Sequence, residues 1–268
     1  MGFSIVTLSA TNFRRLKSTV YQIALDIVYH TPISQTHRQA RARTRSRLPF
    51  YKQFIQPGDL CFHIGANIGD RTDVFATLGA QVIAVDPMRD LAVHLRRRFA
   101  LTRRVRVKQM ALGAKDGVAE LAICDAATTA NTLSTSFQRE SRFAGTYTWN
   151  RTESVRMTTL DSLIREYGQP AFCKIDVEGF ESVVFAGLSR PLSCLSFEFT
   201  REFLHEMKQC VSHLETLGRA SYNYALGEEM RLLLSTWISA EELVAHLSEH
   251  PASDLWGDIY VRWRPDSN

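Results

Sequence analysis

The 268-residue chain is long enough for one large α/β domain or two small ones. It is 45% apolar and 22% charged, which is typical of a soluble globular protein. The net charge of +4 is concentrated at residues 37–47, HRQARARTRSR, which hold five arginines and no acid. Because the rest is close to neutral, the charge argues against a nucleic-acid-binding domain and predicts a local basic arm, a solvated linker.

The N-terminal region carries no predicted targeting signal. The first fifteen residues carry polar residues throughout, and residues 20–29 are too short to span a bilayer. Residues 14–30 predict an amphipathic helix, so we divide the chain into a helix and basic arm over 1–48 and a main domain over 49–268. The five cysteines show no C-x-x-C spacing, which favours reduced thiols and a cytoplasmic location over a disulfide framework.

From Asp59 onward, strands and helices alternate along the chain. Such β-α-β units predict a parallel sheet with right-handed crossovers. The predicted strands are 59–64, 81–86, 105–112, 171–176, 192–199, 219–226 and 258–263, with an added strand after a turn at residue 113. The predicted helices are 69–78, 89–101, 159–167, 180–187, 202–217 and 239–249.

One long polar segment, residues 125–152, interrupts this alternation and shows no clear period. A connection of this length in a compact domain is commonly a functional loop. We therefore predict that it covers a substrate.

A glycine turn follows the first strand in the sequence HIGANIGDRT. It lacks the lysine of a phosphate-binding P-loop and the third glycine of a dinucleotide fingerprint. The second strand ends in Asp86, where a carboxylate can accept hydrogen bonds from both hydroxyls of a ribose. Together these features predict an adenosine-containing ligand, either a nicotinamide dinucleotide or S-adenosylmethionine.

Acidic residues collect after the fourth strand, in KIDVEGFE. Asp176 and Glu178 are candidate general bases for a substrate hydroxyl, and His205, just after the next strand, is a third. Glu198 ends that next strand in the same way. No metal site is predicted, because Asp176 and Glu198 could converge on one ion but nothing fixes the remaining ligands. The alternative interpretation is structural: Lys174 pairs with an acid, and Glu178 or Glu181 caps the following helix.

Read in order, HIGANIGDRT, VIAVDP, MALG, TLDSL and KIDVEGFE resemble the FkbM-type methyltransferases over roughly residues 50–200. The resemblance implies a Rossmann-like class I methyltransferase fold: a mostly parallel seven-stranded sheet, helices on both faces and an antiparallel C-terminal strand. It also implies S-adenosylmethionine as methyl donor and O-methylation of a hydroxyl on a small molecule or glycan. The positions carried over are Gly65, Ala66, Asn67 and Gly69 for the methionine part, Asp86 for the ribose, and Met110, Ala111 and Leu112 for the adenine.

His63 departs from the family pattern, which usually has aspartate at this position. A neutral imidazole can accept one hydrogen bond from the ammonium group of the donor but supplies no negative charge. The alternative is that His63 only packs at the end of the first strand.

Two other functions stay open on the sequence alone. One is an NAD(P)-dependent oxidoreductase, which the missing third glycine and the missing Tyr-x-x-x-Lys pair argue against. The other is a non-catalytic protein that uses the arginine arm on nucleic acid or on an acidic membrane.

Overall fold

A computed structural model describes residues 35–263 of the protein, so the helix predicted over 14–30 lies outside the described residues. Within that range the strands are β1 Leu60–Ile64, β2 Gln81–Asp86, β3 Val105–Gln109, β4 Ala111–Leu112, β5 Gly117–Ile123, β6 Arg151–Thr158, β7 Phe172–Ile175, β8 Cys194–Thr200, β9 Ala220–Leu226 and β10 Trp256–Trp263. The helices are α1 Gln35–Tyr51, α2 Asp70–Thr77, α3 Arg89–Arg98, α4 Thr135–Glu140, α5 Leu160–Tyr167, α6 Glu181–Phe185, α7 Leu204–Thr216 and α8 Ala240–Glu249.

Seven strands form the main sheet in the order β3-β2-β1-β7-β8-β10-β9. Strand β10 runs antiparallel to both of its neighbours, and the other pairs are parallel. This confirms the predicted fold class, including the antiparallel C-terminal strand. Because the strand order turns back between β1 and β7, the carboxyl ends of β2, β1 and β7 meet at one edge of the sheet, which is where open α/β sheets bind ligands.

Helices cover both faces of the main sheet. On one face, Phe50 and Tyr51 of α1 and Phe75 of α2 pack with Phe172 and Tyr260 of the sheet. On the other face, apolar residues of α5, α6, α7 and α8 share the larger cluster with the opposite side chains of the same strands. Strands covered on both sides are buried along their length, which explains the apolar runs in the sequence.

The basic segment 37–47 is helical, which corrects our prediction of a solvated linker. Arginine is a good helix former, and the helix is held down by Phe50 and Tyr51, which are 6% and 0% exposed. Pro49 lies in the last turn of α1. The composition of residues 37–47 could not indicate a helix, because the anchoring residues Phe50 and Tyr51 follow this segment.

Two strand predictions also need correction. The predicted strand 105–112 is broken at Met110, so β3 belongs to the main sheet and β4 to a second, three-stranded sheet with the order β4-β6-β5. Strand β6 was missed because its sequence, RTESVRMT, is polar and only its later residues are buried.

All five cysteines are buried free thiols. A search of residues 35–263 finds no helix with the length and apolarity needed to cross a lipid bilayer.

Candidate active site

The glycine turn after β1 packs against the protein itself. Gly65 has φ +77°, and a Cβ there would lie 1.7 Å from the carbonyl oxygen of Asp176. Gly69 has φ +88°, and its Cβ would lie 2.7 Å from Leu95 and 2.8 Å from Phe99. Only glycine combines this backbone conformation with so little space. Both glycines are therefore required by packing, whatever ligand lies beside the turn.

Asp86, at the end of β2, is held by the same turn. One carboxylate oxygen accepts the backbone N–H of Asn67 at 2.8 Å, and the other accepts that of Met88 at 2.9 Å. Each oxygen keeps a second lone pair, which suits two ribose hydroxyls. Asp86 is 4% exposed, and burial raises its pKa to about 6, although the two N–H bonds oppose the shift.

Asp86 lies in a cleft at the carboxyl edge of the sheet. The cleft brings together eight of the predicted residues: Gly65, Asn67, Asp86, Met110, Ala111, Leu112, Asp176 and Glu178. Ala66 and Gly69 are not among its lining residues; Ala66 is 2% exposed and packs with Leu95 and Phe99.

His63 does not line this cleft, which corrects its assignment to the donor site. Its side chain is on the face covered by α2, where Nδ1 lies 2.8 Å from the hydroxyl of Thr72 and the ring contacts Phe75. The residue is 3% exposed. Burial, followed by the charges of Lys174 and Arg71, holds the pKa of His63 well below its usual value. The physical reason is the alternation of side chains along β1, which turns residue 63 towards the helices.

Three carboxylates converge at the ends of β7 and β8. Oxygen atoms of Asp176, Glu178 and Glu198 all lie within 4.8 Å of one another. Glu178 is placed by a left-handed backbone (φ 53°) immediately before Gly179 (φ 82°). Among the described residues, neither the Glu178 nor the Glu198 carboxylate accepts a hydrogen bond or pairs with a cation at contact distance. We call these three residues the acid cluster.

The buried Lys174 lies beneath the acid cluster. Its Nζ is 2.8 Å from Asp258 of β10 and 3.2 Å from Asp176, and the residue is 2% exposed. Burial alone would lower the pKa of Lys174, but the Asp176 and Asp258 carboxylates reverse this effect and raise it. The pairing that we considered as the structural alternative for Lys174 is therefore present, and it ties the cluster to a strand distant in sequence.

Like charges and burial set the protonation of the cluster. Burial, then the charges of Asp176 and Glu181, raises the pKa of Glu178 well above its usual value. For Glu198 the causes are burial, then Glu178 and Asp176. Burial also raises the pKa of Glu181 to about 7, although its carboxylate accepts the backbone N–H of Val177 at 2.9 Å. These side chains thus share too few positive partners to be ionised together without cost.

The acid cluster has the oxygen donors that Mg²⁺ or Ca²⁺ prefers. The sequence suggested two of these carboxylates, Asp176 and Glu198, but could not supply the third, because Glu178 reaches the group only through its left-handed turn. His205 is not part of the group. Its side chain is 55% exposed at the start of α7, beside Phe203 and Glu206, so its role as a catalytic candidate stays a prediction.

The predicted loop, residues 125–152, is folded over the acid cluster. The hydroxyl of Thr132 donates to the carbonyl of Glu178 at 2.7 Å, and Trp149 Nε1 donates to the carbonyl of Ala130 at 2.7 Å. Phe137 of α4 stacks on Phe203 at 5.9 Å. Sequence reasoning missed the cleft-lining residues of this loop, Thr129, Asn131, Thr132 and Leu133, since a polar segment without a period gives no signal for them.

Several solved structures are similar to this chain. An O-methyltransferase from Bacillus cereus in complex with SAH has a TM-score of 0.43 and 13% identity, covering 97% of this chain and 93% of that chain. Fibrillarin from Aeropyrum pernix with natively bound S-adenosyl-L-methionine has a TM-score of 0.45 and 10% identity, covering 82% and 75%. A TehB-like SAM-dependent methyltransferase from Corynebacterium glutamicum has a TM-score of 0.43 and 9% identity, covering 94% and 100%. These scores assign no activity to the chain.

No curated protein matches the sequence. A family profile described as the methyltransferase FkbM domain matches residues 63–234, which is more than half of the 268 residues. This span contains the glycine turn, Asp86 and the acid cluster. The chain therefore belongs to the FkbM methyltransferase family, whose methyl donor is S-adenosylmethionine.

Proposed function

We propose that this protein transfers the methyl group of S-adenosylmethionine to a hydroxyl oxygen of a sugar or a secondary metabolite. The observation that carries the proposal is that Asp86 and Asp176, at the ends of two different strands, line one cleft. Asp86 can accept hydrogen bonds from the ribose hydroxyls of the donor, and Asp176 can accept the proton of the acceptor hydroxyl. The cleft lies between the glycine turn and the loop over 125–152. We therefore place the donor beside the glycine turn and the acceptor beside the loop.

The donor end of the cleft is assigned by its hydrogen-bonding capacity. The free lone pairs of Asp86 accept the two ribose hydroxyls, and the backbone of Gly65 to Asn67 faces the methionine part. Met110, Ala111 and Leu112, at the break between β3 and β4, supply an apolar wall for the adenine. These roles use the lone pairs and apolar surface that the fold leaves unused.

The acid cluster forms the acceptor end. When bound, the sulfonium of the donor supplies an activated methyl group. Asp176 accepts the hydroxyl proton as the oxygen–methyl bond forms and the sulfur–methyl bond breaks, and Lys174 holds this carboxylate in place. Glu178 orients the acceptor hydroxyl. Alignment contributes on the order of 7–11 kcal/mol to such a reaction, and a general base about 10²–10⁴-fold in rate.

The loop over 125–152 is the acceptor-binding element of this proposal, and the cytoplasm is its location, since five buried free thiols suit a reducing compartment. Phe137 and Phe203 form a stacked aromatic wall beside Glu198. Aromatic rings and carboxylates together suit a neutral polyhydroxylated ring.

Isothermal titration with S-adenosylmethionine, S-adenosylhomocysteine and NAD tests the donor. We expect the first two to bind and NAD not to bind; tighter binding of NAD would overturn the proposal in favour of an oxidoreductase. A donor with a deuterated methyl group, incubated with a panel of glycosides, polyols and phenols and followed by mass spectrometry, tests the acceptor. Labelled products that carry the methyl group on nitrogen or carbon alone would overturn the O-methylation.

The matched variant for the chemical step is Asp176→Asn. It keeps the side-chain shape but cannot accept the hydroxyl proton. We expect donor binding to persist and methyl transfer to fall by at least about 100-fold. Asp161→Asn, a change of the same kind outside the cleft, is the control and should retain activity.

A further inference from the structure

The charge of this protein is divided between two acid-free segments and the rest of the chain. Residues 35–58 and 91–115 hold 14 of the 32 lysines and arginines and none of the 28 acidic residues. The remainder is left with 18 basic and 28 acidic residues, a net charge of −10. The modest total of +4 therefore hides a strong asymmetry, and the position of the two segments in the fold decides what it means.

The fold places both segments side by side on the α1/α2/α3 face of the sheet. Asp73 of α2 accepts the hydroxyl of Thr44 from α1 at 2.7 Å and lies 3.7 Å from Arg98 of α3. Asp70 lies 3.7 Å from Arg47 of α1 and 3.1 Å from Arg98. Because the same two carboxylates are contacted from both sides, the basic segments adjoin each other, and the acids of α2 between them are already engaged.

Other arginines of these segments point to solvent. Beyond those that contact α2, six of the exposed ones are Arg43, Arg45, Arg96, Arg97, Arg103 and Arg104. We call these six residues, together with Ala100 and Leu101, the basic face. Leu101 is 73% exposed at the turn after α3, between the arginines at 96–98 and those at 103–104. An exposed large apolar side chain flanked in sequence by arginines is typical of a contact with the membrane interface.

We propose that the basic face binds the surface of an anionic lipid bilayer, with Leu101 entering the interfacial region. Arginines next to an anionic membrane surface gain about 1 kcal/mol each, equivalent to about fivefold in binding per residue. Single-stranded nucleic acid is disfavoured because it needs aromatic stacking platforms. The aromatic residues of the two segments, Phe50, Tyr51, Phe54 and Phe99, are at most 9% exposed.

The orientation leaves the cleft accessible. Helix α3 runs from the carboxyl end of β2 to the amino end of β3, so the turn that carries Leu101 lies at the sheet edge opposite the cleft. Membrane binding through this turn is thus compatible with donor binding, and it would hold the enzyme beside acceptors that are dissolved in, or released from, the bilayer. The inference does not depend on which acceptor is methylated.

Co-sedimentation of the full chain with phosphatidylcholine vesicles, with and without phosphatidylglycerol, tests this. We expect binding only to the anionic vesicles and a decline as salt is raised. The double variant Arg96→Gln/Arg97→Gln should bind on the order of 30-fold more weakly, from about fivefold per charge. The control, Arg165→Gln/Arg190→Gln, makes the same charge change at exposed positions on the opposite face and should bind as the wild type does.

Leu101→Ser separates a membrane from other polyanions. It should weaken vesicle binding while leaving the net charge unchanged. A short oligonucleotide is the competing probe. Tighter binding of the oligonucleotide through the same arginines, with no effect of Leu101→Ser, would overturn the proposal in favour of a nucleic-acid surface. Equal vesicle binding by both double variants, or no preference for phosphatidylglycerol, would also overturn it. Unchanged melting temperature and unchanged S-adenosylmethionine affinity verify that each variant is folded.

Discussion

The two ends of the cleft hold their carboxylates in opposite ways. At the donor end, Asp86 receives two backbone N–H groups and is ready to accept more hydrogen bonds. At the acceptor end, Asp176 has Lys174 beside it, whereas Glu178 and Glu198 lie among carboxylates and, within residues 35–263, contact no cation directly. The carboxylate of Asp86 is thus stabilised by hydrogen bonds, whereas the carboxylates of the acid cluster are destabilised by mutual repulsion.

This difference shows what each end is built for. A carboxylate that is satisfied by the backbone is fixed in position before its ligand arrives, which limits the entropy lost on binding. Carboxylates that repel one another instead hold a proton or attract positive charge. Under the proposed function, the cleft therefore combines a rigid site for the donor with an electrostatically unsatisfied site for chemistry.

Among the variants considered, substitution of Lys174 should have the largest effect, which is a loss of folding stability. In Lys174→Met, the buried Asp258 loses its partner and the acid cluster loses its contacting cation. Leaving a buried charge without a partner costs about 3–5 kcal/mol, and we expect a loss of this size in urea unfolding. Lys208→Met, an exposed lysine of α7, should change stability by less than about 0.5 kcal/mol. Equal midpoints for the two variants would contradict the role of the pair.

Glu198→Gln should relieve the repulsion. The folded-state pKa of Glu198 is raised, so its contribution to stability is present at low pH and is lost as pH rises through that value. The variant should thus match the wild type near pH ~5 and exceed it near pH ~8 by about 1–3 kcal/mol, the order of the repulsion between charges roughly 5 Å apart. The exposed Glu120→Gln is the control. A stability gap that does not widen with pH would refute this account.

Asp86→Asn should weaken the donor end without disturbing the acid cluster. Loss of charge-assisted bonds worth about 1.5–3 kcal/mol each predicts at least about tenfold weaker binding of S-adenosylmethionine by calorimetry. Since the pKa of Asp86 is about 6 in the folded protein, wild-type affinity should also fall as pH drops through that region. The variant should lack this fall, and Asp90→Asn, exposed on α3, should retain it.

His63→Gln should have the smallest effect on the donor. His63 is neutral and faces Thr72 behind β1, so donor affinity should change less than about twofold and its pH profile should keep the wild-type shape. A profile that flattens in the variant would return His63 to the donor site. The measurement is the same calorimetric titration over the pH range used for Asp86.

Local features of the sequence were enough to predict where Asp86 lies in the fold. A glycine turn between a strand and a helix, followed by an acid at the next strand end, is contiguous information, and it placed Asp86 correctly in the cleft. The partners at the acceptor end come from strand register instead. Asp258 is opposite Glu198 because β10 pairs with β8, a pairing across 60 residues that no local pattern encodes.

The errors have equally local causes. His63 was assigned by analogy to an aligned position, whereas the alternation along β1 decides which face it takes. The basic segment was read by composition, whereas Phe50 and Tyr51 determine that it is a helix. The polar β6 was missed because only one of its faces is covered, so it lacks the apolar run of a central strand.

The position of β10 has a consequence for synthesis of the protein on the ribosome. This strand inserts between β8 and β9, although it follows both in the chain. Asp258 is made 172 residues after Asp86, a delay of about 10–30 s at 5–20 residues per second. In the later part of that interval the residues of the donor end have all been made, whereas Lys174 still lacks Asp258 and the sheet has an open edge at β8. The unpaired strand edge is therefore present late in translation. We expect chaperones of nascent chains to act on the C-terminal half of the protein.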